Sequence, residues 1–129
     1  MKLSFSTRGR RDVSWDEQVF LAKDSRYNGI EIYDITRTPS LTDASGPFNK
    51  FNVFATARVL REMDLSIPCM DSSLDLSIEE DVSDKIKENI DFAAFAGCPY
   101  VSIRADFDNE NLIHKRIKEI GRASCRERV

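Results

Sequence analysis

Four short apolar segments recur along the 129-residue chain at the interval of one strand-plus-helix unit. They begin near Leu3, Gly29, Leu65 and Pro99, with spacings of 26, 36 and 34 residues. Each is followed by a stretch of helical periodicity. Such alternation makes the strands parallel, because every helix returns the chain to the same end of the sheet. A doubly wound open sheet is covered on both faces, so its strands read as continuous apolar runs. These segments instead carry Glu31, Ser66, Ser102 and, just beyond, Arg104. A barrel interior accepts polar residues near its mouth, where ligands bind. The expected fold is therefore α/β, a partial (β/α)₈ TIM barrel of about four βα units.

Local signals place the elements. Leu3–Ser6 is the first predicted strand. Ser14 with Glu17 forms a capping box that opens a helix, and Trp15, Val19 and Ala22 give that helix one apolar stripe. Asn28-Gly29 is expected to end the unit by adopting positive φ. Gly29–Tyr33 is the second strand. Ile35–Phe48 is rich in Thr, Ser, Asp, Pro and Gly and reads as a long loop, of the kind that often serves function. Phe51–Asp64 is the next helix, with Val53, Ala57 and Leu60 on one face. Leu65–Met70 is the third strand, made irregular by Pro68, and Asp71-Ser72-Ser73 is its loop. A helix starting near Ser77 or Ser83 carries Val82, Ile86, Ile90 and Ala93, and stops at Gly97. Pro99–Ile103 is the fourth strand. A last helix begins near Asp108 with Ile113, Ile117 and Ile120 as its apolar stripe.

Charge narrows the function. The net charge is −3, and no Lys/Arg run marks a nucleic-acid or membrane surface. No apolar stretch reaches about 18 residues, so no membrane span is expected. The N-terminus lacks the apolar run of a signal peptide. Cys69, Cys98 and Cys125 are odd in number and without C-x-x-C spacing, which fits a reducing cytoplasm better than a disulfide framework. The glycines are dispersed, and no phosphate-binding loop is visible.

Two motifs carry a family resemblance. Asn28-Gly29-Ile30-Glu31-Ile32 and the run Ala93-Ala94-Phe95-Ala96-Gly97-Cys98-Pro99-Tyr100-Val101-Ser102-Ile103-Arg104 resemble the second and fourth strands of xylose isomerase-like barrels. The resemblance covers residues 1–118, about half of such a barrel. It implies a parent that acts on a sugar or sugar phosphate as an isomerase or epimerase. Such enzymes use a divalent metal and two glutamates on later strands, so no metal ligand or catalytic residue is assigned to this chain. The fragment itself is expected to be inactive. Apurinic-site endonucleases share the group, but the acidic charge and the lack of early histidines argue against that activity and against nucleic-acid binding.

The residues expected to line a substrate are Glu31, Asp71, Ser72, Arg104 and Asp106, at or near strand C-terminal ends. The competing reading of Glu31 is an internal ion pair with Arg104. Phe5 reads as core, with Ser6 beside it at the end of strand one. Cys69 reads as a buried apolar thiol. His114, the lone histidine, falls on the polar side of the last helix. A non-catalytic alternative is a half-barrel that associates with a second copy through its open sheet edges.

Residues 119–129 stand apart. Glu119-Ile120-Gly121-Arg122-Ala123-Ser124-Cys125-Arg126-Glu127-Arg128-Val129 resembles, residue by residue, the translation of a widely used short-read sequencing adapter. It is read as an artefactual tail following a frame cut near Lys118. Without it the chain is more acidic still.

Overall fold

The computed structural model describes residues 1–10, 12–76, 82–105 and 110–127. Four parallel strands form one sheet in the order β1-β2-β3-β4: β1 Ser4–Ser6, β2 Gly29–Tyr33, β3 Met70–Asp75 and β4 Val101–Arg104. Sequential order without crossing distinguishes a barrel segment from a doubly wound sheet, where strand order reverses at a switch point. The helices are α1 Trp15–Asp24, α2 Pro39–Thr42, α3 Val53–Glu62, α4 Ser83–Ala96 and α5 Glu110–Glu127.

The two faces of the sheet differ in chemistry. Phe5, Ile30, Ile32, Met70, Leu74, Val101 and Ile103 face the helices, and Ile30, Ile32 and Met70 are fully buried there. The alternate residues Ser6, Glu31, Tyr33, Asp71, Ser102 and Arg104 share the other face and range from half-buried to exposed. Side chains alternate with period two along a strand, so this polar row is the complement of the apolar one. Each buried isoleucine contributes roughly 1.5–3 kcal/mol of apolar transfer energy, so the helix-facing layer holds the fold together.

Several expectations hold at the level of single residues. Ser14 Oγ accepts the Glu17 amide at 3.3 Å and caps α1. Gly97, at φ 71°, ends α4. The long loop contains a 3-10 turn at Ile35–Arg37 and the single-turn helix α2. It closes onto the core through Phe48, whose ring meets Trp15 edge-on at 5.0 Å.

Other expectations need correction. Asn28-Gly29 does not supply the positive φ after α1; Arg26 does, at 60°. Gly29 is required for space instead, since a Cβ there would lie 3.0 Å from the Ser66 carbonyl oxygen and 3.1 Å from Pro68 Cδ. The third strand begins where its predicted span ends. Within Leu65–Ile67, Ser66 alone makes a bridge, to Gly29, while Pro68 lacks the amide a ladder needs. Asp71-Ser72-Ser73 is consequently strand, not loop. The register of β3 on β4 shifts between Asp71 and Asp75, with Ser73 at φ 56°. This is the signature of a bulge.

The fourth strand likewise starts two residues late, at Val101. Helix α4 starts at Ser83 with the buried Val82 before it, and Ser77 lies outside the described residues. In α5, Ile113 and Ile120 are buried but Ile117 is 51% exposed. Arg116 takes the buried place at 5% exposure, with Nη1 donating to the Leu76 carbonyl at 2.7 Å. That bond ties α5 to the residue that follows β3. Helix α5 continues without a break across residue 118. Among the described residues no helix is long and apolar enough to cross a membrane.

Candidate functional site

The polar face of the sheet gathers most of the residues singled out in the sequence. Register sets them in rows. Ser6 pairs with Glu31, Tyr33 with Asp71, and Asp71 with Ser102, so Tyr33, Asp71 and Ser102 are level across three strands. Glu31 stands two residues before Tyr33 and is level with Cys69. At the far end Asp75 pairs with Arg104. Arg8, in the 3-10 turn Thr7–Gly9 after β1, places its guanidinium 5.3 Å from the centre of the Tyr33 ring. Thr7 Oγ1 accepts the Tyr33 amide at 3.0 Å and fixes the end of β2 beneath it.

Asp71 has a structural duty beside its place in the row. Its Oδ1 accepts the Ser73 amide at 2.9 Å, holding the left-handed residue of the bulge. Its carbonyl accepts the Asp34 amide at 2.6 Å. Asp34 is buried at φ 57°, with Arg37 Nε 4.0 Å from its carboxylate. The chain thus turns sharply out of β2, and this turn sets where the long loop departs.

Two site expectations change. Ser72 does not line the polar face. It is fully buried among the helix-facing residues, donating its hydroxyl to the Ser102 carbonyl at 2.8 Å and accepting the Leu74 amide at 3.3 Å. Alternation explains it: Asp71 and Ser72 are neighbours on one strand and must face opposite ways. Among the described residues, no ion pair joins Glu31 to Arg104. Ile32, Met70 and Val101 are level, so Arg104 lies about four residues farther along the sheet than Glu31, roughly 13 Å at the rise of a strand, with β3 between them. Arg104 is exposed and Asp106 lies outside the described residues. His114 is exposed on α5. Phe5 is core, meeting Tyr27 edge-on at 5.2 Å.

Sequence reasoning missed Tyr33 and Asp75. Tyr33 was accessible to it, since it follows Glu31 by two residues. Asp75 was not, because it falls beyond the predicted end of its strand. Cys69 is half-buried rather than fully apolar in its surroundings. Burial pushes its thiol above the ordinary value, the Glu31 and Asp71 carboxylates push the same way, and hydrogen bonds from Ser102 oppose them. Burial also leads the upward shift of Cys98.

A thiol held above its unfolded value keeps its proton more tightly in the folded state. Both cysteines therefore contribute stability that is present below about pH 8.5 and is lost as pH rises through the folded values. Iodoacetamide at pH 8 is expected to label Cys69 and Cys98 several-fold more slowly in the folded chain than in urea, read by peptide mass spectrometry. Equal rates would show that neither thiol is shielded.

The row offers two carboxylates, a phenol, a thiol and hydroxyls, an array suited to hydrogen-bonding a hydroxylated ligand. Among the described residues, no group of three or more His, Cys, Asp or Glu side chains could hold a metal ion. The described residues do not fit a metal centre, and no step through one is derived for this chain.

No family model and no curated protein matches the chain. Among solved structures it is similar to the probable 3-DHS dehydratase AsbF, involved in petrobactin synthesis, from Bacillus anthracis. The TM-score is 0.68 at 20% identity, over 100% of this chain and 50% of that one. The chain therefore spans about half the length of that protein. The likeness shows the fold alone: four βα units of a partial TIM barrel.

Proposed function

We propose that this chain is the substrate-lining half of a barrel enzyme acting on a sugar or sugar phosphate by proton transfer, as an isomerase or epimerase, and that it does not turn over by itself. The observation that carries this reading is the row Glu31, Tyr33, Asp71 and Ser102 on the uncovered sheet face, leading to its C-terminal edge. Barrel enzymes bind ligands at that edge. Hydroxyl-rich ligands need several donors and acceptors at fixed spacing, which strand register supplies more rigidly than loops do. The neighbour's description as a dehydratase, an enzyme that removes water, is compatible with a hydroxylated substrate. On this reading the divalent cation that the family resemblance implies is held by the later strands of the full-length parent, and none of its ligands is placed in this chain.

Two measurements test the proposal. Aldose–ketose and epimerisation assays of the 129-residue chain with added divalent cations are expected to give no turnover; measurable turnover would contradict the assignment of catalysis elsewhere. Titration with millimolar sugar phosphate, followed by amide NMR, is expected to move the signals of Glu31, Tyr33 and Ser102. Glu31→Gln should weaken that response several-fold. Shifts confined to residues under the helices, or no shifts at all, would remove the basis for the site.

A further inference from the structure

We infer that this chain pairs with a second copy of itself through the face shared by α3 and α4, with α3 of each copy lying against α4 of the other. The inference rests on the fold and not on the proposed activity. Along the sheet the longer helices run α1, α3, α4, α5, so this face lies between the two inner ones. It stays on the outside of any barrel to which the four units belong. Three phenylalanine rings stand in water there: Phe51 at 81% exposure, Phe54 at 69% and Phe95 at 58%. The solvent side of a surface helix is ordinarily polar. Rings of this size leave roughly 400 Å² of mostly apolar surface to solvent, and patches of that size often serve binding.

Two clefts lie along the groove between these helices, and Phe95 lines both. In the larger, of about 560 Å³, Phe95 shares the walls with Phe54, Ala57 and Arg61 of α3. In the smaller, of about 180 Å³, Glu88, Asp91 and Phe92 of α4 share them with Lys50 and Val53. The charges separate by helix. On α4, Asp84, Glu88, Asp91 and Phe95 recur at the spacing of one helix face, and all four are exposed. On the α3 side the exposed charges in the clefts are Lys50 and Arg61, with Arg58 exposed on the same helix. Lys50 Nζ lies 5.1 Å from the centre of the Phe51 ring, so its ammonium flanks the exposed rings. Among the described residues no ion pair joins the two sets within one chain.

Such a face is self-complementary. A two-fold axis parallel to the groove exchanges its two sides while keeping each residue at its own height. Groups that wall one cleft from opposite sides in a single copy therefore meet across the axis from different copies. Lys50 of one copy then faces Glu88 and Asp91 of the other, and Phe54 faces Phe95. An axis across the groove would instead set α3 against α3, cation on cation, which like charges oppose. A partner of a single charge sign matches one side of the groove, whereas a second copy matches both. The rings supply about half of the roughly 800 Å² per partner that a standard interface buries, and the charges form its polar rim.

Sedimentation velocity on the unmodified chain is expected to show a concentration-dependent dimer of about twice 14.7 kDa. Phe95→Glu places a charge at an exposed helix position and should weaken the dimer about tenfold or more, with the far-UV circular dichroism unchanged. Lys50→Glu should weaken it several-fold, and adding Asp91→Lys to that variant should restore it, because the swapped charges meet between copies. Carbodiimide treatment of an equal mixture of isotope-labelled and unlabelled chain is expected to join Lys50 to Glu88 or Asp91 in peptide pairs of mixed isotope. Association that ignores Phe95→Glu and the charge swap, or cross-links confined to single chains, would overturn the proposal. So would a monomer at every concentration, which leaves the face to some other partner.

Discussion

Ile32→Ala is expected to cost about 2–5 kcal/mol of stability, measured by urea denaturation, because it empties a fully buried site in β2. Ile32 lies level with Met70 on the neighbouring strand and belongs to the cluster that joins the sheet to its helices. The packing around it is shared by two strands and cannot collapse into the void without moving the sheet. Small domains are stable by only about 5–15 kcal/mol, so a loss in the upper part of this range would leave a large unfolded population. The neighbouring substitution Glu31→Ala is the control. Glu31 sits on the opposite face, half-buried, and its loss should change stability by no more than about 0.5 kcal/mol. Equal costs for the two would mean that both faces are packed, as in a doubly wound sheet.

Gly46→Ala is expected to cost about 1–3 kcal/mol and to change the fluorescence of Trp15. A Cβ at Gly46 would lie 2.5 Å from both the carbonyl carbon and oxygen of Leu41, and 2.8 Å from the Thr42 nitrogen. These are backbone atoms at the end of α2, which no rotamer change can withdraw. The Phe48 amide bonds the Leu41 carbonyl at 2.8 Å, so displacing Leu41 also displaces Phe48. Phe48 meets Trp15, the single tryptophan of the chain, and the emission of that residue reports the movement. Gly9→Ala is the matched control, since nothing lies within 4 Å of its added carbon. A Gly46 variant as stable as the Gly9 variant, with unchanged emission, would contradict the close approach.

What could be read from the sequence follows from which physical terms are local. The strand Gly29–Tyr33 was bounded correctly, because the apolar positions Ile30 and Ile32 alternate with Glu31 and Tyr33. The Ser14 cap was legible because it joins residues three apart. The start of β3 was not, since Leu65 and Ile67 are apolar and buried yet leave the ladder before Pro68. The bulge at Ser73 depends on how β3 meets β4, which no local pattern encodes. In α5 a spacing of three or four residues fits Ile113, Ile117 and Ile120 equally well. The place taken by Arg116 is decided by a carbonyl 40 residues away in sequence.

The candidate site was legible to the same extent. Glu31, Asp71 and Arg104 share the polar face as expected from their positions, and Ser72 fails because a loop was assumed where a strand runs. The Glu31–Arg104 pair fails because the strand register, which sequence does not provide, sets them far apart.

Backbone NOE spectroscopy of the labelled chain decides between a barrel segment and a reordered sheet. Parallel interstrand contacts are predicted from β1 to β2, from β2 to β3 through Ile32 and Met70, and from β3 to β4 through Met70 and Val101. Contacts of β1 with β3 or β4 inside one monomer, in place of these, would show a doubly wound sheet and contradict the half-barrel.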